Sequence, residues 1–402
     1  MIILLDVDGV LVENRAYWAG IQRTTEYFSR RLGLAPRAPS NADIDVFEAE
    51  SITVEWDSCA VITAALLLER LAAVAHSARG RASLADLPRN FWDCLAALPA
   101  RTARKSALDF AALARRVGAA SRATALLPAR AALGCFLEDV QAQDQIPLPV
   151  AQPLLEHLLG QVYTIDDSPA MQVFQNYVLG HAQYAEHYGL TPWVEGGALL
   201  QELDRPLLEH ELAQAVLRRR AQGTLFPVVF TARPSRTPVE AGGFERGYTP
   251  ESEIGAELVG LEDIPVMGFG KLAWWASQVG RVGSQLVKPS PIHTMAAIGA
   301  ARSGLEVEAI KAALAAERGD QIRYPLSACA GDDVHVFEDS PSSLRGVTQA
   351  VERLNRLGLR LTLTRHGVAP AGSPKRATLA EAADCVHNDI NDGVRDLLEK
   401  SS

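Results

Sequence analysis

The chain is poor in the residues that staple or anchor a protein. Cysteine occurs five times in 402 residues, at Cys59, Cys94, Cys135, Cys329 and Cys385. The set is odd in number, holds no CxxC pair and has no metal-type spacing, so it predicts reduced intracellular thiols and no disulfide framework. Long hydrophobic runs are missing too. The longest, such as CAVITAALLL, fall short of the ~20 residues a membrane span needs. No positive charge precedes the two aspartates of the opening MIILLDVDGV, which excludes a signal-peptide pattern and leads to the expectation of a cytoplasmic protein with no membrane partner. An excess of positive charge is also lacking. The formal net charge is −9, whereas a nucleic-acid surface needs clustered Lys and Arg. The short basic runs from Arg101 to Lys105 and from Arg218 to Arg220 read as solvated helix faces, so no nucleic-acid partner is expected.

What is present is the composition of an ordinary globular protein, 48% hydrophobic and 22% charged. The length allows two or three domains and a large core that needs no staples. The first segment, IILLD, is short, apolar and followed by Gly9, the pattern of a buried strand in a parallel sheet. From Glu13 to Gly223 the texture changes: Ala, Leu, Glu and Arg dominate and apolar residues recur at helical spacing, as in AVITAALLLERLAAVAHSA and PLLEHELAQAVLRRRAQG. Strand signals return in LFPVVFT, VHVFED and LRLTLT, the last ending at Thr364, with helical stretches between them. Strands alternating with helices imply βαβ units and a parallel sheet. The lone N-terminal strand belongs with that half. The predicted architecture is therefore an α/β core made of residues 1–13 and 223–402, with residues 14–222 inserted as an all-helical domain.

Open α/β sheets bind ligands outside the carboxyl ends of their strands. At those ends the sequence places Asp6 and Asp8 of DVDGV, Thr231 with Ala232 and Arg233 in VVFTARPS, and Glu338 and Asp339 of VHVFEDSPSS; Lys288 stands at the opening of LVKPSPIHTMAAI. Each motif alone has a plainer explanation, such as a local turn or helix cap for the aspartates. Their order and their common position at strand ends or helix starts make the set specific.

These segments resemble the four motifs of the haloacid dehalogenase superfamily of phosphohydrolases: DVDGVL the first, VVFTAR the second, the lysine of VKPSP the third and VFEDSPSSL the fourth. The resemblance covers residues 1–13 and about 223–392. It implies a three-layer Rossmann-like core with a parallel sheet, capped by a helical domain between the first and second motifs; the inserted segment is far longer than a minimal four-helix cap. By the same resemblance Asp6 is the nucleophile that forms an aspartyl-phosphate, and Asp8 is the acid and base, raised in proton affinity by crowding beside Asp6. Asp6, Asp339 and the backbone carbonyl of Asp8 would hold Mg²⁺, with Glu338 a direct or water-mediated partner. Thr231, Ala232 and Arg233 would contact the phosphoryl group, and Lys288 would offset charge. The expected protein is a Mg²⁺-dependent phosphatase (a hydrolase) acting on a small phosphorylated metabolite. A phosphomutase is the neighbouring alternative, and a non-catalytic binding or regulatory protein is the alternative of a different class.

Within the superfamily, the second aspartate points to the phosphate-handling branches, and the missing spans argue against the membrane pumps. A Schiff-base role would fall to Lys105, which reads instead as a surface residue. Asp332 and Asp333 precede their strand and read as a solvated turn. Arg15, Tyr17 and Trp18 read as packing residues near the start of the insertion, and Trp274 and Trp275 as a pair shared between core and surface. His181 and His187 read as structural, with no cysteine or carboxylate cluster nearby to make a zinc site.

Overall fold

A computed structural model describes residues 1–98, 106–143, 145–373 and 375–400; Lys105 lies outside them. The chain divides into two compact units, Met1–Arg15 with Leu203–Ser402, and Ala16–Glu202. The first is α/β. Its six-stranded sheet runs in the order β5-β4-β1-β6-β7-β8, all parallel, with β1 at Ile2–Leu5, β4 at Phe226–Phe230, β5 at Val266–Met267, β6 at Asp333–Glu338, β7 at Thr362–Val368 and β8 at Cys385–His387. A separate two-residue ribbon pairs β2 (Val12–Glu13) with β3 (Arg205–Pro206) antiparallel.

The apolar run IILL is buried on both sides because both faces of the sheet are covered. Ile2, Leu4, Val228, Phe230, Val334 and Val336 face one core, shared with helices Pro291–Ser303, Glu306–Glu317 and Pro341–Arg356. Ile3, Leu5, Val229 and Phe337 face the other, shared with Ala213, Val216, Ala256, Val394 and Leu397 of the helices behind. Strand β1 thus sits between β4 and β6, where the strand order reverses, and this is the switch point of such a sheet.

The second unit is helical. Its central helix, Glu55–Ala75, has 21 residues; it alone among the described residues is long and apolar enough to cross a membrane, and its most apolar 18-residue window, of mean hydropathy 1.8, is 72% buried within the fold. The sequence reading underestimated it because short polar interruptions break the apolar run without breaking the helix. Asp57 on this helix is buried and satisfied by Ala129 N at 3.1 Å and the Tyr163 hydroxyl at 2.5 Å.

Three further details differ from the sequence reading. Helix His210–Ala221 packs in the α/β unit through Ala213 and Val216, so the helical insertion ends before it. Helical periodicity reports the element, not the body it packs in. Strand β7 runs on from Thr364 to Val368, pairing Glu338 with Gly367. Strand β5 has only two residues, too few to leave a pattern.

Helix Pro341–Arg356 approaches the loop before helix Pro291–Ser303 so closely that a Cβ on Gly346 would lie 2.2 Å from the Pro289 carbonyl oxygen. Gly346→Ala must push that loop outward, an overpacking cost of about 1–3 kcal/mol. The expected readout is a lower urea midpoint with an unchanged m-value.

Candidate active site

Asp6 is the first residue beyond β1. Its amide donates to the Phe337 carbonyl at 3.1 Å, and its Oδ1 accepts from the Val7 amide at 2.8 Å. The side chain is nearly fully buried, and Lys288 Nζ lies 2.6 Å from Oδ1. The same ammonium is 2.9 Å from Glu338 Oε2, donates to the Phe230 carbonyl at 3.4 Å and sits 5.1 Å above the Phe230 ring. Lys288 stands in the loop ahead of helix Pro291–Ser303. Its amide donates to His293 Nδ1 at 2.9 Å, while His293 Nε2 is 2.9 Å from the Met267 carbonyl. Those two contacts define the tautomer: Nδ1 accepts, so Nε2 carries the hydrogen.

The electrostatics follow from burial. For Lys288, desolvation alone would favour the neutral amine, but the charges of Asp6 and Glu338 outweigh it and hold the amine protonated well above its ordinary range. Burial pushes Glu338 well above the usual carboxylate range, Asp6 adds to the shift, and Lys288 opposes it. Asp339 is also raised by burial, against the pull of Lys375, whose Nζ is 3.1 Å from Asp339 Oδ2. Lys375 is a contributor that the motif pattern did not flag.

Asp6, Glu338 and Asp339 bring carboxylate oxygens within 4.8 Å of one another. Three hard oxygen donors in this arrangement suit a Mg²⁺-like cation. Glu338 Oε1 is buried and receives no hydrogen-bond donor among the described residues, which fits an oxygen reserved for a cation. Gly9, at φ +73, keeps the turn close: a Cβ there would lie 2.9 Å from Asp339 Oδ2.

Asp8 has a partner that the expectation did not include, a guanidinium: Arg233 Nε donates to Oδ1 and Oδ2 at 2.9 and 3.0 Å, and its terminal nitrogen to Oδ1 at 2.6 Å. Arg233 is buried and also holds Asp204 Oδ2 at 3.1 Å, so its guanidinium is shared between two carboxylates; Asp204 in turn accepts from the Arg15 amide at 2.9 Å. Asp204 lies far from every motif and carried no sequence signal. Thr231 is fully buried; its amide is spent on the Met267 carbonyl at 3.2 Å, and its hydroxyl oxygen accepts from the Arg233 amide at 3.2 Å. The exposed Ala232 between them donates its amide to no described residue. Elsewhere, Tyr17 packs on Phe174, Trp18 donates to Glu48, Trp274 donates to Glu245, His187 is buried, and His181 Nδ1 contacts the Gly196 carbonyl at 2.9 Å. Asp332 pairs with the N-terminus and Arg302, at 3.6 and 3.8 Å, so it is tied down and not simply solvated.

No protein-family model and no curated protein sequence matches this chain. Among solved structures it is similar to a Northeast Structural Genomics Consortium target, ZR25, with a TM-score of 0.60 and 13% identity, covering 100% of this chain and 99% of the other. That likeness shows the fold. It is also similar, at a TM-score of 0.41 and 13% identity over 99% of both chains, to the phosphatase Tt82 from Thermococcus thioreducens, a likeness too distant to inform the site.

Burial depresses His293 to a pKa of about 3, against 6.5 for a free imidazole. The unfolded chain therefore takes up a proton below pH 6.5 that the folded chain does not, so stability is lost as pH falls from 6.5 towards 3, by up to about 1.4 kcal/mol per pH unit. Urea unfolding at stepped pH should show this slope in the wild type and a slope lower by about one proton in His293→Asn.

Proposed function

We propose that the α/β unit is a phosphomonoester hydrolase that works through an aspartyl-phosphate on Asp6. The observation that carries this reading is the 2.6 Å pairing of a buried Asp6 with Lys288 at the carboxyl end of β1, beside Glu338 and Asp339. A carboxylate nucleophile splits a difficult hydrolysis into two steps, provided its charge and the phosphate's are offset. Lys288 supplies part of that offset. Asp6, Asp339, Glu338 and the carbonyl of Asp8 would hold Mg²⁺, which supplies the remainder at the phosphoryl oxygens.

In the first step an Asp6 oxygen bonds to phosphorus and the ester P–O bond breaks, with Asp8 giving the leaving oxygen its proton. In the second, Asp8 takes a proton from water, the water oxygen bonds to phosphorus, and the Asp6–phosphorus bond breaks to release phosphate. The Thr231 hydroxyl and the Ala232 amide hold phosphoryl oxygens. Arg233, braced by Asp204, orients Asp8 from behind; its bidentate grip is a geometry that lysine does not reproduce. The substrate class is a small phosphorylated metabolite.

Hydrolysis of p-nitrophenyl phosphate should require Mg²⁺, stop with EDTA and fall about 10³-fold or more in Asp6→Asn. Beryllofluoride should form an adduct on Asp6 in the wild type. An enzyme with neither turnover nor adduct in Mg²⁺ would overturn the reading. Arg233→Lys, which keeps the charge and loses the fork, should lower kcat about 10–100-fold through misplacement of Asp8 while leaving the adduct intact.

A further inference from the structure

A second cluster lies on the α/β sheet, made of softer donors than the carboxylates. Neighbouring strands β6, β7 and β8 contribute His335, His366, and the pair Cys385 and His387. Cys385 and His387 are two residues apart on a strand and so share a face; the register sets Cys385 opposite His366. Cys385 Sγ is 3.2 Å from His366 Nδ1 and 3.4 Å from His387 Nε2, and those two nitrogens are 3.0 Å apart. Three ligand atoms thus converge on one point.

Bond lengths to zinc of ~2.3 Å for sulfur and ~2.0–2.1 Å for nitrogen imply tetrahedral edges of ~3.3 Å between nitrogens and ~3.6 Å between nitrogen and sulfur. The observed edges are a few tenths of an ångström tighter, a gap that small rotamer adjustments close. A thiolate with two imidazoles selects Zn²⁺ over the Mg²⁺ that suits Asp6, Glu338 and Asp339.

Independent features support the site. His335 Nδ1 is 3.0 Å from His366 Nε2. With His366 binding through Nδ1, its Nε2 hydrogen is therefore donated to His335, the outer-shell bond that orients a ligating imidazole. The His366 ring is stacked on Phe337 at 4.3 Å and 11°, which fixes its plane. Gly393 leaves room at His387: a Cβ there would lie 3.2 Å from His387 Nε2. Beside the cluster, Arg365 clamps Asp384 with bonds of 3.0 and 2.7 Å, fixing β8 against β7. His366 is buried, whereas Cys385 and His387 are half-buried.

We infer that His366, Cys385 and His387 form a zinc site, with His335 as the positioning residue of His366. Binding releases the Cys385 thiol proton to solvent and leaves water as the fourth ligand. The test is titration of metal-stripped full-length protein with Co²⁺. One equivalent should bring up the near-ultraviolet thiolate-to-cobalt charge-transfer band, and Zn²⁺ should abolish it. Cys385→Ser should lose the band, His387→Ala should lose or strongly weaken it, and His335→Ala should raise the Co²⁺ dissociation constant about 10–100-fold. Asp339→Asn, which alters only the carboxylate cluster, should keep it. Absence of the band in wild-type protein at saturating Co²⁺ would overturn the inference, as would its persistence in Cys385→Ser. The wild-type spectrum decides the matter even if a variant fails to fold.

Discussion

A single buried ammonium governs this site. Asp6 and Glu338 sit side by side, almost without solvent, and two carboxylates so placed repel each other while losing their hydration. Lys288 lies within 2.9 Å of both and makes their burial tolerable. The surroundings are arranged to keep it there. Its amide is held by His293, its ammonium is backed by the Phe230 carbonyl and ring, and its loop is pressed against a helix at the one position, Gly346, that has no side chain. Removing the cation would leave an uncompensated charge inside the core, so the residues around Lys288 contribute to stability and to site geometry together.

The parts of this arrangement that were legible in the sequence share a property. Asp6, Thr231 and Glu338 are polar residues that end apolar runs, and a parallel sheet brings all such ends to one edge. Lys288 was legible because prolines mark the loop it occupies. Asp204 was not, because its relevance comes from Arg233 and the chain between them carries no pattern linking the two. The cationic partner of Asp8 was missed for the same reason: the sequence reading looked only to neighbouring Asp6, while tertiary structure brings Arg233 from beyond the carboxyl end of β4.

The histidine cluster illustrates the other kind of illegibility. Cys385 and His387 form a C-x-H pair that means nothing until the segment is known to be a strand, and His366 joins them only through the register of β7 with β8. Spacing rules for cysteine ligands look along the chain. This cluster is assembled across it, in the direction of the sheet's hydrogen bonds.

The ribbon of β2 and β3 bears on how so large an insertion is tolerated. Val12–Glu13 and Arg205–Pro206 are hydrogen-bonded partners, so the chain leaves the α/β unit and returns through the same doorway. Closing a flexible loop of this length would cost about 4–5 kcal/mol in chain entropy, but an insert that folds as a compact body of its own needs only have its two ends near each other. The six parallel strands take their hydrogen-bonding partners from one another, and the described pairings draw on no residue between Ala16 and Glu202. The doorway itself is less permissive: Asp204 stands on its threshold and holds both the Arg15 amide and Arg233. A graft has to preserve that one carboxylate, whatever else it replaces.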